Sequence, residues 1–256
     1  MRLKQAFASH VSPTGPDPSP ALRSNALAVL GSVFVVAVAA YSAIALHLSL
    51  GRATVIAATL VLLLIFAFVV AGLHHHRFES FGLANTVTAI RSAIVSLVAA
   101  AVLIPDFPGD TSWALVLLAT VALTLDGFDG YLARLQRLES DLGARFDMEV
   151  DALLILCLAV AVFLLGKAGA WVVMIGLLRY GFILSQYLMP SLTAPLPPSL
   201  RRKAVCVIQV ATLCLILVPG VDAPVSVWMA AVALLLLIYS FAVDCLYLMR
   251  PREGGR

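Results

Sequence analysis

The chain has 256 residues, of which 62% are hydrophobic and only 12% charged, with a mean hydropathy of +1.02 and a net charge of +3. Soluble domains are about half apolar and about a quarter charged, so a water-soluble globular protein is excluded, together with a disordered chain or a secreted disulfide scaffold. A transmembrane helix takes about 20 apolar residues, so this length holds roughly eight spans and no soluble catalytic domain.

Residues 1–25 read as a flexible cytoplasmic tail with Arg2, Lys4 and Arg23. Pro13, Pro16, Pro18 and Pro20 precede the first apolar run, which argues against a cleavable signal peptide. Hydropathy predicts helical spans over 26–48, 53–73, 84–104, 112–134, 147–166, 170–189, 203–219 and 224–249. The expected fold is an all-α polytopic membrane protein of about eight helices. Residues 26–73 form two plain spans, with no charge between Arg23 and His47 or between Arg52 and His74. They read as an addition to a six-helix core over 74–250. Phe78, Phe81 and Leu83, mixed with polar residues between Arg77 and Arg91, predict a short interfacial helix ahead of the third span. His74, His75 and His76 read as a polar collar at a span end. Cys157, Cys206, Cys214 and Cys245 all lie in apolar runs without close pairing, which leaves them as buried or lipid-facing thiols.

Charge placement orients the chain. Arg2, Lys4, Arg23, Arg77, Arg91, Arg134, Arg137, Arg145, Arg201, Arg202, Lys203, Arg250, Arg252 and Arg256 fall on one side, against Arg52 and Lys167 on the other. That asymmetry predicts an even number of spans with both termini cytoplasmic. Arg179 lies within the sixth span, where a charge needs a cavity or a partner.

Ionisable residues inside spans mark function by default. Asp126, Asp129, Gly130 and Ala133 repeat at i, i+3, i+4 and i+7, one narrow helical stripe at the end of the fourth span. Gly143, Asp147 and Asp151 repeat at i, i+4 and i+8 at the start of the fifth. The short link between these spans predicts antiparallel neighbours, so four carboxylates converge at the cytoplasmic end. Four unpaired anions at such separations repel, and a hard divalent cation, Mg²⁺ or Mn²⁺, resolves the conflict through all-oxygen ligation. Gly130, Ala133 and Gly143 leave a cleft, and Arg134 offers a fork for phosphate oxygens. A metal, small residues and Arg at a membrane interface suggest a diphosphate substrate with a lipid tail. Glu149 falls nearly opposite the two acids that flank it, outside the expected metal shell. Asp244 reads as a helix-end residue.

These residues spell D-x2-D-G-x2-A-R-x8-G-x3-D-x3-D from Asp126 to Asp151. The pattern resembles the signature of the CDP-alcohol phosphatidyltransferases, whose six-span unit is matched in layout by residues 84–249. Asn85, Thr88 and Arg91 look like the polar residues that open that family's first core span. The resemblance implies an enzyme that moves a phosphatidyl group from a CDP-activated lipid, CDP-diacylglycerol, to a small alcohol, with release of CMP. It assigns Asp126, Asp129 and Asp147 to the metals, and Asp151 as the last metal ligand or the catalytic base. It places Gly130, Ala133, Gly143, Arg134 and Thr88 against the CDP-lipid. It also implies a homodimer. The charge asymmetry puts the active site on the cytoplasmic face of the lipid bilayer, expected to be a bacterial inner membrane; no nucleic-acid partner is expected.

The acceptor follows from the cation excess. Arg179, Arg202 and Lys203 are candidates for an acceptor phosphate, which favours glycerol 3-phosphate, with inositol phosphate or serine as alternatives. Lys203 and Gln209 match part of the G-K-x-K-T-x-x-Q stretch of phosphatidylglycerophosphate synthases, but Val205 and Cys206 replace its second Lys and its Thr. An intramembrane prenyltransferase is the competing enzyme, although its two acidic clusters lie far apart in sequence. A transporter would favour broken helices and inverted repeats, and neither is evident.

Overall fold

The computed structural model describes residues 18–48, 51–75, 80–104, 111–136, 141–188 and 199–249, with only the backbone path given for 48, 75, 111, 128–136, 141 and 186–188. Among these residues there are eight α-helices and no strand: α1 (Pro20–Leu48), α2 (Arg52–Ala71), α3 (Leu83–Leu103), α4 (Thr111–Gln136), α5 (Asp141–Leu164), α6 (Met174–Leu188), α7 (Leu200–Leu217) and α8 (Val225–Met249). Short 3₁₀ turns cover Leu73–His75 and Ala170–Val173. By length and composition, α1, α2, α3 and α8 are long and apolar enough to cross a membrane. Ser112–Gly127 and Ala170–Ser185 are shorter apolar segments. The first turns of α5 and α7 carry clustered charges, Asp141, Arg145, Asp147 and Glu149 in one and Arg201, Arg202 and Lys203 in the other.

The architecture is organised around α3. Nearly three quarters of its apolar window is buried (72%), against 17% for α1, 28% for α2 and 22% for α8. Ala89, Ala93, Ala99, Ala100 and Ala101 let neighbouring backbones approach from several sides. Helix α3 packs against α1, α2, α4 and α5, while α7 packs against α4, α5 and α8. The hydroxyls of Thr88, Ser92 and Ser96 on α3 are satisfied locally. Thr88, Ser92 and Ser96 donate their hydroxyls to the carbonyls of Ala84, Ala89 and Ser92, at 3.1, 2.7 and 2.7 Å.

Two expectations are corrected. Helix α1 starts at Pro20 rather than within the apolar run at 26, so the expected tail is shorter. Proline suits a first helical turn, and Ser19 caps it by accepting the Leu22 N–H at 3.1 Å. No separate interfacial helix occupies residues 80–91. Gly82, at φ +82°, turns the chain directly into α3, a conformation that costs glycine little. Residues 76–79, including His76 and Arg77, lie outside the description. Helices α4 and α5 both pack against α3 and α7, and their acids meet at the Asp126, Asp147 and Asp151 cluster.

Candidate active site

The acids do converge, and they meet across α3. Arg91 lies two turns inside that helix and is 1% exposed, while Asp126, Asp147 and Asp151 are 29%, 36% and 25% exposed. The Arg91 guanidinium donates to Asp126 Oδ1 at 2.7 Å, Asp147 Oδ1 at 2.5 Å and Asp151 Oδ1 at 2.9 Å. It also reaches the Asp147 carbonyl at 3.3 Å. Asp147 and Asp151 share a face because they stand four residues apart on α5; Asp126 arrives from α4.

Carboxylate oxygens of Asp126, Asp147 and Asp151 lie within 4.8 Å of one another, an all-oxygen set of the kind a hard divalent cation takes. The donors fit such an ion: they are anionic, convergent and partly open to solvent, backed by a buried cation. Gly143 precedes Asp147 by one turn on α5, and Thr88 precedes Arg91 by one turn on α3, buried at 3% exposure. Asp129, Gly130, Ala133 and Arg134 continue α4 past Asp126, and their side chains lie outside the described residues, as does Arg137.

The expected acceptor cations divide. Arg179 of α6 donates to Glu149 Oε1 at 2.7 Å, so its partner is the α5 acid that faces away from the cluster. Arg201 and Arg202 of α7 both donate to Asp244 Oδ1 of α8, at 2.5 and 3.3 Å, and Arg201 also reaches Ser240. Asp244, expected as an ordinary helix-end residue, is 6% exposed and ties two helices together. Lys203 is exposed and acts electrostatically on Asp147. Helix α7, which carries Cys206 one turn further along, packs against both α4 and α5, the helices that bear the acids. Gln209 turns away from them, donating to the Ala233 carbonyl of α8 at 2.7 Å.

Lys167, expected in an outer loop, is buried at 8% exposure. It donates to the Val218 and Val221 carbonyls at 3.2 and 3.0 Å and pairs with Asp222 at 3.4 Å. The residue underrated by the sequence is Arg91. Its sequence setting places it with the polar opening of a span and with the cytoplasmic cations. The signal was present, since eight residues of α3 precede it and a charge at that depth needs anionic partners.

A family model described as CDP-alcohol phosphatidyltransferase matches residues 81–239, more than half of the chain. The match begins just ahead of α3, runs through the acid cluster and ends within α8; α1 and α2 precede it. Searches of curated proteins and of solved structures returned no match. The matched span, the helical membrane architecture and the convergent aspartates agree, and the chain belongs to the CDP-alcohol phosphatidyltransferase family, as a membrane transferase of phosphatidyl groups.

Proposed function

We propose that the chain transfers the phosphatidyl group of CDP-diacylglycerol to a small phosphorylated alcohol, glycerol 3-phosphate first, with release of CMP. The observation that carries this reading is the convergence of Asp126, Asp147 and Asp151 oxygens within 4.8 Å inside the family-matched region. The acceptor hydroxyl oxygen forms the new bond to the phosphatidyl phosphorus. The bond from that phosphorus to the bridging diphosphate oxygen breaks, and its electrons leave with CMP. Asp151, at the edge of the cluster, takes the hydroxyl proton or completes the metal shell.

Asp126, Asp129 and Asp147 are the residues we assign to hold Mg²⁺ or Mn²⁺, which when bound neutralises charge on the diphosphate and the departing CMP. Gly130, Ala133 and Gly143 form the close approach for the cytidine, with Arg134 on the phosphates and Thr88 beside them. For the acceptor we assign Lys203, which acts on Asp147 across the cluster, with Arg179 and Arg202 as flanking cations whose present partners are Glu149 and Asp244. A homodimer in a bacterial inner membrane, with the acid end facing the cytoplasm, completes the assignment.

The test is CMP release by purified protein given CDP-diacylglycerol and Mn²⁺, with glycerol 3-phosphate, inositol phosphate, serine and plain glycerol in parallel. Release fastest with glycerol 3-phosphate is expected. Faster release with serine or glycerol overturns the acceptor, and no release with any acceptor overturns the donor. Cross-linking in membranes checks the dimer, and labelling of engineered cysteines checks the orientation.

A further inference from the structure

Arg91 is almost wholly buried, yet its guanidinium contacts carboxylates from two helices other than its own. A buried guanidinium in a membrane protein persists only where its charge is compensated. Compensation here is more than complete, one positive charge against three carboxylates. Each carboxylate engages Arg91 through its Oδ1 atom, at 2.7, 2.5 and 2.9 Å for Asp126, Asp147 and Asp151.

The same three residues form the oxygen set that fits a divalent cation. Mg²⁺ binds oxygen at about 2.1 Å, closer than any of these nitrogen contacts. A divalent cation held by these three side chains would draw on carboxylates that the guanidinium already engages, so the two cations compete for them. The Arg91 head sits on a long, flexible stem, so it can withdraw while α3 stays seated against α4 and α5.

We propose that Arg91 is an internal counter-ion of the acid cluster: it holds Asp126, Asp147 and Asp151 together on its own, and a divalent cation binds by taking their oxygens from it. Arg91 is thus a positioning residue that sets the metal affinity of the site. The inference rests on the reading of these carboxylates as metal ligands.

Its sign is testable on the full chain purified in detergent. Arg91→Gln removes the guanidinium that engages all three carboxylates, so the unfolding temperature in EDTA should fall. Calorimetric titration should then show Mn²⁺ binding about tenfold tighter than in the wild type, the equivalent of one charge-assisted hydrogen bond no longer competing. Added Mn²⁺ should also raise the variant's unfolding temperature more than the wild type's. Arg91→Lys keeps the charge but loses the planar fork, so it should fall between the two on both measurements, and it serves if the Gln variant does not fold. Weaker Mn²⁺ binding in the variants, or an unchanged unfolding temperature in EDTA, overturns the inference alone. Absence of Mn²⁺ binding in the wild type as well overturns the metal reading of the carboxylates, and the inference with it.

Discussion

Tyr41 on α1 donates its hydroxyl to the Ala93 carbonyl on α3 at 2.6 Å, two residues along the helix from Arg91. A second fastening lies at the start of α3, where Asn25 Oδ1 accepts the Phe81 N–H at 2.9 Å. Helix α1, which precedes the family-matched region, is therefore fastened twice to the helix that carries Arg91 and to its entry. Tyr41→Phe should destabilise the protein by about 1 kcal/mol, the usual worth of one hydrogen bond. Thermal unfolding in detergent reads this directly, and an unchanged midpoint would show that the fastening contributes nothing.

Replacing Asp126 or Asp147 with Ala should reduce CMP release by about a thousandfold or more, since each carboxylate acts on charge that grows around the diphosphate. Asp129→Ala should behave alike. Size-exclusion profiles should show that the folded protein remains. Substantial turnover in any of the three would remove that residue from the proposed metal set.

Glu149 and Arg179 give a paired prediction. If Arg179 turns to the acceptor phosphate, Arg179→Gln should raise the acceptor KM by about tenfold while the CDP-lipid KM holds. Glu149→Gln removes the competing carboxylate at 2.7 Å and should lower the acceptor KM. Equal changes for both substrates would assign the pair to structure alone.

A steric prediction concerns α5 and α6. A Cβ added to Gly176 would stand 2.5 Å from the Leu156 Cα, backbone that cannot move aside cheaply. Gly176→Ala should therefore destabilise the protein by about 1–3 kcal/mol, as overpacking does. An unfolding midpoint equal to the wild type's would mean that the two helices separate without cost.

Much of this arrangement is legible before any coordinates. Hydropathy locates all eight helices, because apolar runs of that length have one low-energy form in a bilayer. The i, i+4 spacing of Asp147 and Asp151 announces their common face. What escapes is that α3 and α7 both pack against α4 and α5, since periodicity describes a helix's own faces and says nothing of which helix fills them. Arg91 was visible as a charge in an apolar run, but its partners are 35, 56 and 60 residues away. Lys167 and Asp244 escaped for the same reason: both look like span-end charges, and only tertiary contacts bury them.

The pairing of α7 with α8 is fastened at three levels. Arg201 and Arg202 hold Asp244 at one end, Gln209 holds the Ala233 carbonyl midway, and Lys167 gathers Val218, Val221 and Asp222 at the other end. A rod pinned at one point can pivot, and a rod pinned at both ends can do so only by breaking a pin. The two helices accordingly form a stiff wall, mechanically a single plank, against which the acid-bearing helices are set. Sliding of α7 past α8 would strip a buried carboxylate of its guanidinium partners at one end and a buried ammonium of its carbonyls at the other.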